Sequence, residues 1–354
     1  MAHGPLSPSP PTASAESQRP PAPAHAGTGR EAEACRAEAA RRFADVVRRI
    51  DAGEYEFPLP GAGRTAERFA ALRDVAAGDL STARLVEGHV DALAILAELR
   101  ADPPPSAGQR WGVWAAEPPG EGLTALRKDG GWVLNGLKQY CSGAHSCTHA
   151  LVTARSGDER RLFAVRVDGA DCRPVPDSWQ AIGMAGSDTP DVRFVDVPAR
   201  EVGGPEAYIR RPGFAHGGIG VAACWYGGAL AVARVLYDAA AQRTEPHTDA
   251  HLGAVDVRLH TAWVLLEHAA REIDADPLDT GAGATLRSMR VRAFVEQACR
   301  EVLDHVGRAT GAGPLCHDIR HARAASDLAV YLRQHHAERA LAGLGELVAR
   351  GQER

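Results

Sequence analysis

The sequence has no surplus of basic charge. Its 354 residues carry 40 Lys and Arg against 45 Asp and Glu, a formal net charge of -5 at neutral pH. Without a global positive field it is not expected to gather nucleic acid or an acidic membrane surface. Paired cysteines are missing too. Seven stand at positions 35, 141, 147, 172, 224, 299 and 316, an odd number with no CxxC spacing. A zinc ribbon or a disulfide framework is therefore not expected, and a reducing, cytoplasmic setting fits. No His, Cys, Asp or Glu set has the spacing of a metal site, and no apolar N-terminal run resembles a signal peptide. The longest apolar stretch, Gly217–Ala241, is interrupted by Arg234 and Asp238. It reads as a buried helix and not as a membrane span. The "GGIG" within it, lacking a preceding strand or a Lys, reads as close helix packing and not as a phosphate cradle.

What the chain does contain changes character along its length. Residues 1–30 are rich in Pro, Ser and Ala and are expected to be a disordered tail, because they offer too little apolar surface to offset ordering. Helical periodicity follows in three segments, from Glu31 to about Arg100, the first with a Phe43/Val46/Val47/Ile50 face. Residues 108–205 are short runs rich in Val and aromatics, punctuated by Gly and Pro, which predicts a small β-barrel or sandwich. From 206 on, four long helical patterns at about 214–242, 249–274, 283–309 and 316–349 predict an antiparallel four-helix bundle. The expected organisation is α+β with a helical domain at 31–107, a β-domain at 108–205 and a bundle at 206–354. No internal repeat is evident.

Three stretches then gain meaning together: "WAAEPPGEG" from Trp114, "GWVLNGLKQYCSGAHSC" from Gly131, and "DSWQAIGMAGSDTPDVRFVDVPA" from Asp177. Their content and order resemble the middle-domain signatures of the acyl-CoA dehydrogenase family, and "LRDVAAGDLSTARLVEGHVDAL" resembles the helices that precede them. The resemblance spans roughly 39–349, most closely over 111–200. It implies the acyl-CoA dehydrogenase fold: an N-terminal helical domain, here shortened, a middle β-barrel and a C-terminal four-helix bundle, assembled as a homo-dimer or homo-tetramer.

The resemblance also implies FAD, clamped between barrel and bundle. By position, Ala115 and Ala116 would offer backbone groups to the pyrimidine edge of the flavin, Tyr140 would cover one side of the ring, and Ser142 would place a hydroxyl near its reactive nitrogen. Each role is physically sound: amides stabilise negative charge, an aromatic excludes water, a hydroxyl donates a hydrogen bond. Departures accompany the match. Ala116 stands where the family has Thr, and Gly122 where it has Ser, removing two side-chain hydrogen bonds worth about 1 kcal/mol each. Arg243 stands where a diphosphate-binding Arg would be, without the Phe-Gly that normally follows, and Arg308–Gly313 keeps only part of a second cofactor-binding turn.

The family's proton-abstracting Glu has no clear counterpart; by position it would fall near Ala329, and Asp327 is the nearest acid. Asp327, Tyr331 and His335, each four apart, are expected to share one helix face. The leading expectation is oxidation of a CH–CH bond of an acyl thioester by proton and hydride removal, with an electron-transfer flavoprotein as a candidate acceptor. "SDLAVYLRQHHAER" looks more like the flavin-dependent monooxygenase branch, so a reduced-flavin monooxygenase of a non-CoA substrate is the alternative. A catalytically silent paralogue serving as a structural partner is the third.

Overall fold

A computed structural model describes residues 26–117, 120, 122–242 and 245–351 of the chain. Three helices come first: α1 (Ala26–Asp51), α2 (Thr65–Gly78) and α3 (Leu80–Glu98). Helix α1 starts at Ala26, so residues 26–30 depart from the disordered tail expected for them, while 1–25 lie outside the described residues. Ala39, Phe43 and Val47, one turn apart, are fully buried and fix the inward face of α1. Asp79 starts α3 by accepting the Thr82 amide at 2.7 Å.

Seven strands follow: β1 (Trp111–Trp114), β2 (Leu123–Lys128), β3 (Gly131–Lys138), β4 (His149–Ser156), β5 (Glu159–Arg166), β6 (Cys172–Pro174) and β7 (Val192–Glu201). Strand β4 pairs with β5, β5 with β7, β7 with β3, β3 with β2, and β2 returns to β4 through Thr124 opposite Arg155. The ladder therefore closes on itself. Strand β1 runs parallel to β4 along the same edge, and β6 pairs with β7. The Leu-Asn-Gly of β3 is a bulge, where the register with β7 shifts between Leu134 and Gly136. Gly136 has φ 122, and a Cβ there would lie 2.6 Å from the Gly122 carbonyl oxygen, so only glycine fits.

The remaining helices are α4 (Ala207–Arg210), α5 (Pro212–Gln242), α6 (Pro246–Ala275), α7 (Ala284–Thr310), α8 (Gly313–His317), α9 (Ile319–Tyr331) and α10 (Ala337–Ala349). Helix α5 is long and apolar enough to cross a membrane, but 72% of its apolar window is buried. It is the central element, packed by α2, α3, α6, α7 and α9. The single helix expected over 316–349 is instead three. Asp318 caps α9 by accepting the Arg320 and His321 amides, which stops α8 and restarts the chain in a new direction. A tight turn over Leu332–Gln334 and an extended His335 then separate α9 from α10.

Candidate active site

Three barrel segments make the wall nearest the helices: the exit of β1, the loop after β3 and the loop before β7. They are laced by main-chain bonds. The Cys141 amide donates to Pro190 at 3.0 Å and the Gly143 amide to Ser187 at 2.9 Å. The His145 amide and ring Nδ1 both reach the Asp188 carboxylate, at 2.8 and 2.9 Å. That hydrogen bond raises the His145 pKa above its ordinary value. Trp114 is buried beneath this surface, and its indole N–H donates to the Ser142 carbonyl at 2.9 Å.

Of the residues singled out from the sequence, Tyr140 and Ser142 lie two apart on this wall. Tyr140 has φ 59, a left-handed backbone that a bulky residue seldom adopts, and its side chain is 56% exposed. An aromatic ring held outward at the cost of backbone strain is the kind of feature that collects at functional positions. The Ser142 hydroxyl oxygen accepts from Thr189 Oγ1 at 3.1 Å, and its own proton has no acceptor among the described residues. Ala115 and Ala116 follow directly from β1, and no described hydrogen bond takes up the Ala116 amide. Glu117 is turned into an ion pair with Arg160 at 2.8 Å, which keeps its carboxyl below the usual range. Gly122 is exposed, and its carbonyl lies against Gly136 in the bulge of β3. Arg243 lies outside the described residues.

Asp327 sits elsewhere. It is 3% exposed and accepts the Met184 amide at 2.5 Å, fastening α9 to the loop before β7. Burial pushes its carboxyl up to about 7, partly offset by the Met184 bond. The cavity beside it, lined by Cys35, Asp79, Ser81, Ala185 and Arg323 among others, holds about 20 Å³, room for roughly one water. The expected stripe of Asp327, Tyr331 and His335 does not form, because the helix ends at Tyr331. Tyr331 and His335 instead pack on Trp225, each with ring centroids 6.4 Å away.

Other residues of the site gave little signal. His89, in the apolar face of α3, accepts the Trp111 amide at 3.2 Å and so ties α3 to β1. Burial lowers its pKa to about 4, leaving the ring neutral and Nδ1 free to accept. In sequence it reads as one more core position. Asp188 and Thr189 act through loop hydrogen bonds that no periodicity reveals.

The wall fits a flavin. It offers an aromatic surface and, among the described residues, a hydroxyl with an unassigned proton and an unengaged main-chain amide, while its two carboxylates, Asp188 and Glu117, are taken up by His145 and Arg160. Comparison with known proteins agrees with that chemistry. No protein-family model matches the chain. The dibenzothiophene monooxygenase of Rhodococcus erythropolis is 32% identical over 90 residues, 23% of this chain and 22% of that protein. The match thus spans about a fifth of the curated relative's length. Among solved structures, a dibenzothiophene monooxygenase from a Paenibacillus species, held with FMN and indole, superposes with TM-score 0.71. It covers 90% of this chain and 97% of the other at 16% identity. A methanesulfinate monooxygenase from Pseudomonas fluorescens gives 0.69, 17% identity and coverage of 90% and 96%. The chain shares with these structures the acyl-CoA dehydrogenase fold.

These likenesses correct the leading expectation from sequence. The relative and the solved structures named above are monooxygenases, none of them an acyl-thioester dehydrogenase, and the first of those structures holds FMN. The structure supplies a physical reason. The acid nearest the expected base, Asp327, is spent on a main-chain amide beside a water-sized cavity.

Proposed function

We propose that the chain is the oxygenase component of a flavin-dependent monooxygenase, working on a small organic substrate with reduced FMN supplied by a separate reductase. The observation that carries this reading is Ser142, whose hydroxyl accepts from Thr189 and keeps its own proton for a ligand. The likeness to monooxygenases over nine-tenths of the chain supports it.

When bound, reduced flavin supplies the two electrons with which dioxygen is divided, one oxygen atom going to substrate and the other to water. The chain's residues do the rest. Ser142 would hold the flavin's reactive edge through its free proton; its hydroxyl is oriented by Thr189, and its carbonyl is pinned by Trp114. The Ala116 amide would serve as a donor to the pyrimidine edge, and Tyr140 would shield the ring from water. Proton abstraction from carbon is not required, which agrees with the engagement of Asp327. We take the chain as the three units bounded at 107 and 205, assembling as a homo-dimer or homo-tetramer through its C-terminal helices.

The test is anaerobic titration with reduced and oxidised FMN, followed by admission of oxygen. Tight binding of reduced FMN and a change in its rate of reoxidation are expected. A chain that binds neither form sinks the proposal.

A further inference from the structure

Lys138, the last residue of β3, brings a charge into the barrel. It is 3% exposed. Its ammonium donates to the Thr153 carbonyl at 2.7 Å and to Thr153 Oγ1 at 2.8 Å, both on β4. Among the described residues no carboxylate forms an ion pair with it. Glu117, the acid whose charge reaches it, is held instead by Arg160 at 2.8 Å and Arg155 at 3.8 Å. The Cys141 thiol donates to the Lys138 carbonyl at 3.3 Å, and burial pushes its pKa up, so it stays neutral. A buried charge is normally paired with an opposite one. Here the partners are a carbonyl and a hydroxyl. Burial lowers the Lys138 pKa to about 8, with Glu117 opposing, so the amine remains largely protonated at neutral pH.

The ammonium sits at a seam of the barrel. Strand β4 gives one edge first to β1, with Trp114 opposite Val152, and then to β2, with Thr124 opposite Arg155. Thr153 falls between the two, and Lys138 takes up its carbonyl. The chain that leaves β1 follows the same edge. Trp114 is level with Val152, and the Glu117 carboxylate reaches Arg155. Ala115 and Ala116 therefore pass Thr153, where the ammonium is anchored.

We propose that Lys138 sets the charge state of the bound flavin: its cation, fixed behind Ala115 and Ala116, stabilises the negative charge left on the pyrimidine edge when the reduced ring gives its N1 proton to solvent. This rests on the monooxygenase reading and on the flavin lying against Ala116. Lys138 acts through the wall and does not touch the ring, so it is a positioning charge. The oxidised ring is neutral, and the cation favours the reduced anion over it. The phosphate is common to both forms and cancels from the comparison. Glu117 and Arg160 face the same amine but form a pair of their own, so at neutral pH they largely offset each other.

The test binds oxidised and reduced FMN to the full chain without oxygen and follows absorbance from about pH 5 to about pH 9, a range that spans the Lys138 pKa. In the parent chain, reduced FMN should keep its anionic spectrum down to about one pH unit or more below the point at which free reduced FMN takes up the N1 proton. Lys138→Met keeps a long side chain and removes the charge. The N1 proton should then return about one pH unit or more higher than in the parent, and the preference for reduced over oxidised FMN should fall about tenfold. The affinity for oxidised FMN should hardly change. Equal weakening of both forms overturns the proposal, because Lys138 would then only hold the barrel together. A parent chain whose bound reduced FMN protonates as readily as free FMN overturns it too, and that measurement needs no variant to fold. A chain that binds both forms without the shift sinks this proposal alone, whereas one that binds neither sinks the monooxygenase reading with it.

Discussion

The indole N–H of Trp114 donates to the main-chain carbonyl of Ser142 at 2.9 Å, joining the exit of β1 to the loop after β3 from beneath. The bond is fully buried, so the loop cannot exchange it for water. Trp114→Phe keeps most of the apolar volume but strands that carbonyl. A loss of about 1–3 kcal/mol is expected, with weaker flavin binding, measured by urea denaturation and FMN titration.

Ser142→Ala separates the site from the scaffold. The main-chain bonds of the loop remain, so the thermal midpoint should hardly move. Losing one donor to the flavin should weaken FMN about fivefold or shift its reduction potential. Unchanged affinity and potential would remove Ser142 from the site.

Asp327 makes a pH prediction with a definite sign. Its folded pKa is raised from 3.8 to about 7, so the folded chain holds this proton more tightly than the unfolded chain does. Folding stability from this group is therefore greatest below about pH 4 and falls as pH rises through 7. Asp327→Asn keeps an oxygen for the Met184 amide and removes the charge. The variant should match the parent at acid pH and exceed its stability by a few kcal/mol above pH 7. Chemical denaturation across that range reads the difference.

Gly136→Ala tests the bulge. The added methyl meets the Gly122 carbonyl and a backbone at φ 122. Destabilisation of about 2 kcal/mol or more is expected. FMN affinity should fall with it, because the Gly122 segment is displaced.

His145 should titrate above its ordinary value because of Asp188. In Asp188→Asn, its NMR titration should return toward that of a free imidazole. The loop should also lose the part of its stability present below that pKa, since a raised histidine stabilises only while protonated.

Tyr140 and Ser142 were singled out through the family resemblance of the stretch that carries them, whereas the bulge at Leu134–Gly136 shows only in the register of β3 with β7. Helices α1 to α3 and α5 to α7 could be read from periodicity, since each buries one continuous face or, for α5, nearly all of it. The break of the last segment was not legible. "DIRHARAASDLAVYLRQHHAER" keeps helical composition through the turn at Leu332, and only the Asp318 cap and the packing of His335 on Trp225 decide where it stops. Long-range pairs such as Met184 with Asp327 and Trp111 with His89 leave no trace in spacing.

The loop that ends at Pro190 approaches the helices closely at two glycines, beside the Asp327 carboxylate that accepts its Met184 amide. A methyl on Gly183 would come within 2.2 Å of the Ser326 carbonyl, and one on Gly186 within 3.0 Å of the Cys35 carbonyl. At these two points the approach of the β-sheet half to the helical half is limited by main-chain carbonyls, with no room for a side chain on the loop. One methyl at 183 is therefore a wedge: it would push the loop from α9 and pull on the neighbouring bond from the Met184 amide to Asp327.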